Sequence, residues 1–293
     1  MHRAFTIIFL LPFFCTACNA QSYPTRDDFP YALDKPDKVF KLDKDLEEIS
    51  GLGLTDDPNL LVSVDDEEGD LFFVSLKNGK ITADPKFGKD DDYEGVEFVN
   101  GTYYVLESNG HIHEIEYDGD DADKKETYNT FLKRENDVEG LGYDAKRNLL
   151  MLACKSEYDD YDDERVVFGF DLATKELLKE PILRFTEDSL YAFVERRGVK
   201  NGLIKMTFAK GFAPSAIAQH PQTGYWYILS SPKRLLLVID EASNLIYLEQ
   251  LSEKLARQPE GICFAPDGTM YISSEGKGAK ARLLIYSQKI NKQ

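Results

Sequence analysis

Histidine and cysteine, the residues that most often mark metal centres and nucleophilic catalysis, number only four each in this chain. His111 and His113 alternate along one apolar run, His220 precedes a proline, and none of the three adjoins a nucleophile motif. No Gly-x-Ser-x-Gly, phosphate-binding glycine loop, paired-cysteine motif or His-Glu-x-x-His occurs, which removes the common routes to serine, phosphate-loop and zinc chemistry. Positive charge is also scarce, with 35 Lys and Arg against 52 Asp and Glu and a net charge of −17. Such a surface repels phosphate backbones, so nucleic acid is excluded as a partner and cations or basic ligands are favoured. Beyond the N-terminus no apolar run approaches the ~18 residues needed to cross a bilayer.

Of the four cysteines, Cys15 and Cys18 lie in the N-terminal segment. Cys154 and Cys263 sit inside apolar strand patterns, where a free thiol behaves as a small buried hydrophobe. The N-terminus reads as an export signal: His2 and Arg3, an apolar run from Ile7 to Phe14 broken by Pro12, then Thr16-Ala17-Cys18. That arrangement resembles a bacterial lipoprotein signal in which residues 1–17 are removed and Cys18 is lipidated, so the only membrane contact expected is a lipid anchor. Cleavage after Ala20, releasing a free periplasmic or secreted protein, is the alternative. Residues 18–35, polar and punctuated by proline, read as a tether.

What the sequence has in abundance is repetition. Ile49-Ser50-Gly51-Leu52, Tyr93-Glu94-Gly95-Val96, Val138-Glu139-Gly140-Leu141, Pro214-Ser215-Ala216-Ile217 and Pro259-Glu260-Gly261-Ile262 share one phrase, and their third positions are 44, 45, 76 and 45 residues apart. A period in the forties built of short β-branched and alternating runs is the pattern of a β-propeller. The 76-residue gap is too long for a loop. Residues 177–212 are therefore expected to supply a degenerate blade, with strands at Ile182–Phe185 and Leu203–Phe208 around a short helix at Ser189–Arg196. The expected fold is an all-β, six-bladed propeller over 36–290, closed by Val39–Leu42 pairing onto the last blade so that no sheet edge stays open.

These phrases resemble the SdiA-regulated family, the YjiK-like or calcium-regulated β-propeller proteins of bacterial envelopes. The likeness is carried by Glu48-Ile49-Ser50-Gly51-Leu52, Asp92-Tyr93-Glu94-Gly95-Val96, Tyr104-Val105-Leu106-Glu107, Asp137-Val138-Glu139-Gly140-Leu141, and Pro259-Glu260-Gly261-Ile262 with Ala265-Pro266-Asp267-Gly268. The resemblance implies a six-bladed propeller, an envelope location and a link to calcium. Pro-Glu-Gly phrases also occur in propeller lactonases, so an enzyme stays open.

If the phrase marks the start of each innermost strand, Glu94, Glu139 and Glu260 converge at the channel mouth, with Ser50 and Ser215 at equivalent places. Crowded carboxylates repel unless a cation sits among them or some of them protonate. An oxygen-only donor set suits calcium before magnesium. A second ring is expected after the next strand of each blade: Asp65 or Asp66, Glu107, Lys155, Ser230 and Glu275, with Lys155 the lone cation, able to meet an anionic ligand or to neutralise the ring. For any one glutamate a structural role in a tight turn competes with this reading. The composition and motifs point to an envelope-anchored module that binds a divalent cation, a small ligand or a protein partner. A calcium-dependent hydrolase of phytase-like or lactonase-like type is the alternative.

Overall fold

Each repeat alternates short apolar runs with Asp, Asn and Gly turns, so the chain folds back on itself after every run and adjacent runs pair antiparallel. The computed structural model describes residues 28–289 other than 157, 159, 160, 162 and 197–210. Strand β1 (Lys38–Lys41) precedes the first repeat. The first sheet is β2 (Ile49–Leu54), β3 (Leu60–Asp65), β4 (Phe72–Ser75) and β5 (Ile81–Ala83); the second is β6 (Tyr93–Val99), β7 (Thr102–Glu107), β8 (Ile112–Tyr117) and β9 (Ala122–Tyr128). The third contains β10 (Val138–Asp144), β11 (Leu149–Cys154), β12 (Glu164–Asp171), β13 (Glu176–Leu177) and β14 (Leu183–Thr186), after which comes helix α1 (Glu187–Arg196). The fourth is β15 (Pro214–Gln219), β16 (Trp226–Ser230), β17 (Leu235–Ile239) and β18 (Leu245–Gln250). The fifth is β19 (Gln258–Phe264), β20 (Met270–Glu275) and β21 (Arg282–Tyr286), with β1 as its outer strand.

The first strands of the five sheets pack in a closed cycle, β2 on β6, β6 on β10, β10 on β15, β15 on β19 and β19 back on β2. The fold is thus a β-propeller, and its blades number five rather than the expected six. The reason lies in β12, which is eight residues long. Its C-terminal end pairs with β13 only at Phe170 and Asp171, leaving the other half of its edge open. Leu183–Thr186 pairs there with Glu164–Val167, completing the outer edge of blade three instead of founding a new blade. Helix α1 then buries Leu190, Phe193 and Val194 between blades three and four. The other strand expected for the missing blade, Leu203–Phe208, lies outside the described residues.

The recurring glycine marks where inner strands touch. A Cβ on Gly95 would lie 2.5 Å from Leu141 Cβ, and one on Gly51 would lie 2.5 Å from Gly95 Cα. At those two positions even a methyl group would clash, while blade four carries one at the same level on Ala216. Closure follows the expected route, with Lys38–Lys41 antiparallel to Arg282–Ile285. Because first strands begin, and second strands end, at the same face, that face is the mouth; the first-to-second-strand turns form the base.

The expected tether ends earlier than residue 35. Phe29, Tyr31 and Leu33 are buried at the base beneath blades four and five. Phe29 stacks on Tyr247 with ring centroids 3.8 Å apart. Cys154 and Cys263 are buried free thiols.

Candidate channel-mouth site

Every inner strand carries an irregularity at the same place. Pairing steps from Tyr93 to Gly95, Val138 to Gly140, Pro214 to Ala216 and Pro259 to Gly261, leaving Glu94, Glu139, Ser215 and Glu260 without a partner across the ladder. In blade one the step runs from Ile49 to Leu52 and passes over Ser50 and Gly51. A β-bulge of this kind re-aims its extra side chain out of the pleat. One such residue per blade, three of them glutamates, is thereby presented at the mouth.

Their electrostatics show that they share a space. Glu94 is pushed up to about 10, first by burial and then by the charges of Glu139, Asp92 and Glu260, with Lys155 acting the other way. Blades two and five are not neighbours in the ring, so the influence of Glu260 on Glu94 runs across the axis. Glu139 is pushed up to about 8 by burial and by Glu260, against the pull of Lys155. Glu260 is raised by burial, offset by hydrogen bonds from Ser231 and Gln258. Lys155 bonds Glu139 Oε1 through its Nζ and lies 3.5 Å from Asp137 Oδ2. The other oxygen, Glu139 Oε2, is buried with no partner.

The second expected ring resolves into two levels. Register places Asp65, Glu107, Cys154, Ser230 and Ser274 opposite the first residue of each phrase, whereas Lys155 and Glu275 stand one residue further along. Lys155 and Glu275 join the mouth group: burial and the charge of Glu260 push Glu275 up to about 7. Asp65, buried and beside Asp66, Glu68 and Glu48, is also pushed to about 7, while its Oδ1 accepts the Glu67 amide at 3.0 Å. Glu107 is turned into its own blade. It lies 2.7 Å from His113 Nε2 and accepts a 2.7 Å bond from Asn109 Nδ2. Burial alone would raise it, but these bonds and the charges of His113 and His111 bring it down to about 2.

Glu97 was missed by the motif reading. It lies two residues beyond Gly95 on β6, where the other inner strands carry Gly53, Gly142, Ala218 and Cys263. Burial pushes its carboxyl up to about 8, and its charge reaches Tyr143 on β10 and Cys263 on the non-adjacent β19. A lone charged residue among small ones at one repeat position is the signal that marks it.

The mouth is thus a carboxylate-rich rim in which, among the described residues, Lys155 bonds Glu139 and Lys277 lies 3.9 Å from Glu275. Its donors are hard oxygens, suited to a cation or a cationic group. Among the described residues no three His, Cys, Asp or Glu side chains are grouped tightly enough to hold a metal ion as they stand.

The fold is shared with structures of varied activity. The chain is similar to Myxococcus xanthus glutaminyl cyclase, with 13% identity, a TM-score of 0.58, and coverage of 87% of this chain and 96% of that one. It is similar to a luciferin-regenerating enzyme, with 12% identity, a TM-score of 0.52 and coverage of 87% and 97%. It is similar also to the PQQ-bound aldose sugar dehydrogenase of Streptomyces coelicolor, with 12% identity, a TM-score of 0.52 and coverage of 87% and 98%. At these identities the likeness is one of fold alone. Among curated proteins none matches the chain. The sequence model of the SdiA-regulated family matches residues 203–277, in agreement with the family resemblance carried by the repeated phrases.

Proposed function

We propose that this chain is an envelope-anchored binding module that holds a divalent cation, calcium first, or the cationic group of a small ligand at the mouth of its channel. The observation that supports this most is the set of bulges that brings Glu94, Glu139 and Glu260 to one rim, where Lys155 is the one cation acting on all three among the described residues and Glu139 Oε2 is buried and unpartnered. Glu94, Glu139 and Glu260 would hold the cation, which would take over the neutralising role of the Lys155 ammonium as that side chain swings out. Bound there, a cation relieves the mutual repulsion of the carboxylates and offers a Lewis-acidic point for an oxygen ligand. Anchoring through Cys18 at the bacterial envelope rests on the N-terminal sequence, and the ligand or protein partner would be met there.

A second reading, a cation-dependent hydrolase, draws on Glu139. There the bound cation would polarise an ester or phosphoryl oxygen, and Glu139, released from Lys155, would accept a proton from the attacking water.

Thermal unfolding with calcium and with chelator tests the first reading. Calcium is expected to raise the melting temperature of the wild type, and the combined Glu94→Gln, Glu139→Gln and Glu260→Gln variant is expected to melt at one temperature in both. A wild type indifferent to calcium overturns the cation site. Turnover of lactones or phosphate esters that requires calcium and vanishes in Glu139→Gln would favour the hydrolase.

A further inference from the structure

The mouth face is electrically divided. Around blades one and two its loops carry the acidic runs Asp43–Glu48, Asp65–Asp70 and Asp90–Asp92. Over blades four and five the same face carries Arg234, Lys254, Arg257, Lys277, Lys280 and Arg282. In a chain with 52 acidic and 35 basic residues, a basic sector of this kind is a departure from the average surface.

Within it, Ser252, Glu253, Lys254, Arg257 and Arg282 line an open depression of about 730 Å³ between the β18–β19 connection and the β20–β21 loop. The two loops brace each other's guanidinium groups. Arg257 Nη1 donates to the carbonyl oxygens of Gly276 and Lys277 at 3.4 and 3.3 Å, and Arg282 Nη1 donates to Leu255 O at 3.3 Å and to Lys254 O. Both arms are held by main-chain oxygens, which carry no net charge to cancel the guanidinium groups. Among the described residues neither guanidinium nor the Lys254 ammonium lies in an ion pair, and the carboxylate of Glu253 is 4.0 Å from Arg234.

We propose that this depression binds the phosphate group of a small, soluble phosphorylated ligand. Two pre-positioned guanidinium groups, an ammonium and the Ser252 hydroxyl supply donors from several directions. A tetrahedral dianion can accept from all of them, whereas a single fork would satisfy a carboxylate. Holding the arms on carbonyl oxygens also lowers the side-chain ordering cost of binding. The site stands on different residues from the cation reading and does not require it.

The test is a titration of the full chain with inorganic phosphate at low ionic strength, followed by calorimetry or phosphorus NMR. Saturable binding by the wild type, weakened about tenfold or more in Arg257→Gln/Arg282→Gln and unchanged in the Glu94, Glu139 and Glu260 glutamine variant, is expected. Lys254→Gln, at an exposed position, should weaken binding without altering the melting temperature, which keeps the result readable if the arginine pair disturbs its loops. Absence of saturable binding by the wild type, or equal binding by folded arginine variants, would overturn the proposal. Glycerol phosphate should compete with inorganic phosphate; sedimentation with phosphatidic acid vesicles without competition by glycerol phosphate would assign the sector to a lipid headgroup and overturn the soluble ligand.

Discussion

The two ends of the same inner strands have opposite chemistry. At the mouth, Glu94, Glu139 and Glu260 crowd one another with one lysine between them, and burial raises all three. At the base, the polar side chains around Tyr31 are paired, and the buried Trp226 Nε1 is the exception. His220 Nδ1 accepts the amides of Gln222 and Thr223, which leaves the proton on Nε2, 2.9 Å from Tyr31 Oη; that hydroxyl in turn donates to Gly268 O at 2.6 Å. Phe29, Tyr227, Phe264 and Tyr247 close around this chain of bonds. The Tyr31–His220 cluster follows the rule that buried polar groups are paired, and the mouth departs from it. Stability therefore resides in the base and the glycine-packed ring, while the mouth carries charge that the fold does not require.

Breaking the base should cost most. Phe29→Ala removes a stacked, fully buried ring and is expected to lose about 3–5 kcal/mol in denaturant unfolding, the usual cost of such a cavity. A loss under about 1 kcal/mol would show that the segment carrying Phe29, Tyr31 and Leu33 only rests on the blades. Gly95→Ala comes next: its methyl would meet Leu141 Cβ at 2.5 Å, an atom tied to the main chain of β10, and overpacking of this kind costs about 1–3 kcal/mol.

The carboxylates sharpen the contrast through the sign of their pH response. Glu107 is held at about 2, below the ordinary carboxylate range. Its stabilisation is thus present above that range and lost as pH falls through it toward about 2. Glu107→Gln should lower stability at neutral pH by about 1–3 kcal/mol, because His113 loses a buried charged partner. Glu94 behaves oppositely. With its proton held up to about 10, the native state binds more protons than the unfolded chain, so stability falls as pH rises from the ordinary range toward 10. Glu94→Gln should flatten that slope and leave the protein unchanged or slightly more stable at pH 8, the smallest effect of the series. Melting temperatures recorded across pH for both variants check the pair; slopes of the same sign would remove the distinction between mouth and blade interior.

Most strands were legible because apolar runs between turn residues need no long-range information. The outer strands β5 and β9 were not, since an edge facing water has little apolar pattern to read, and β9 is largely exposed; β18 was passed over although Leu245–Leu248 is apolar and buries Tyr247 and Leu248. The blade count failed for a related reason. Leu183 and Phe185 read as the strand they are, but whether a strand starts a sheet or finishes one depends on the unpaired length of β12, which spacing cannot reveal. At the site, the repeated phrase located Glu94, Glu139 and Glu260 on equivalent residues, yet the bulge that turns them out of the pleat at the mouth is a property of the ladder. Glu107 looked equivalent to Lys155 by position along the chain. The register and its histidine partner separate them.

The pairing of β1 with β21 joins residues 38–41 to residues 282–285, almost the whole length of the chain apart. The last blade cannot be finished until both ends have been made and have found each other, so the slowest loop closure comes with the final contact. Until then blade five offers an open edge to any neighbouring strand, and a newly made molecule is most exposed to mispairing at the seam that later makes it a ring.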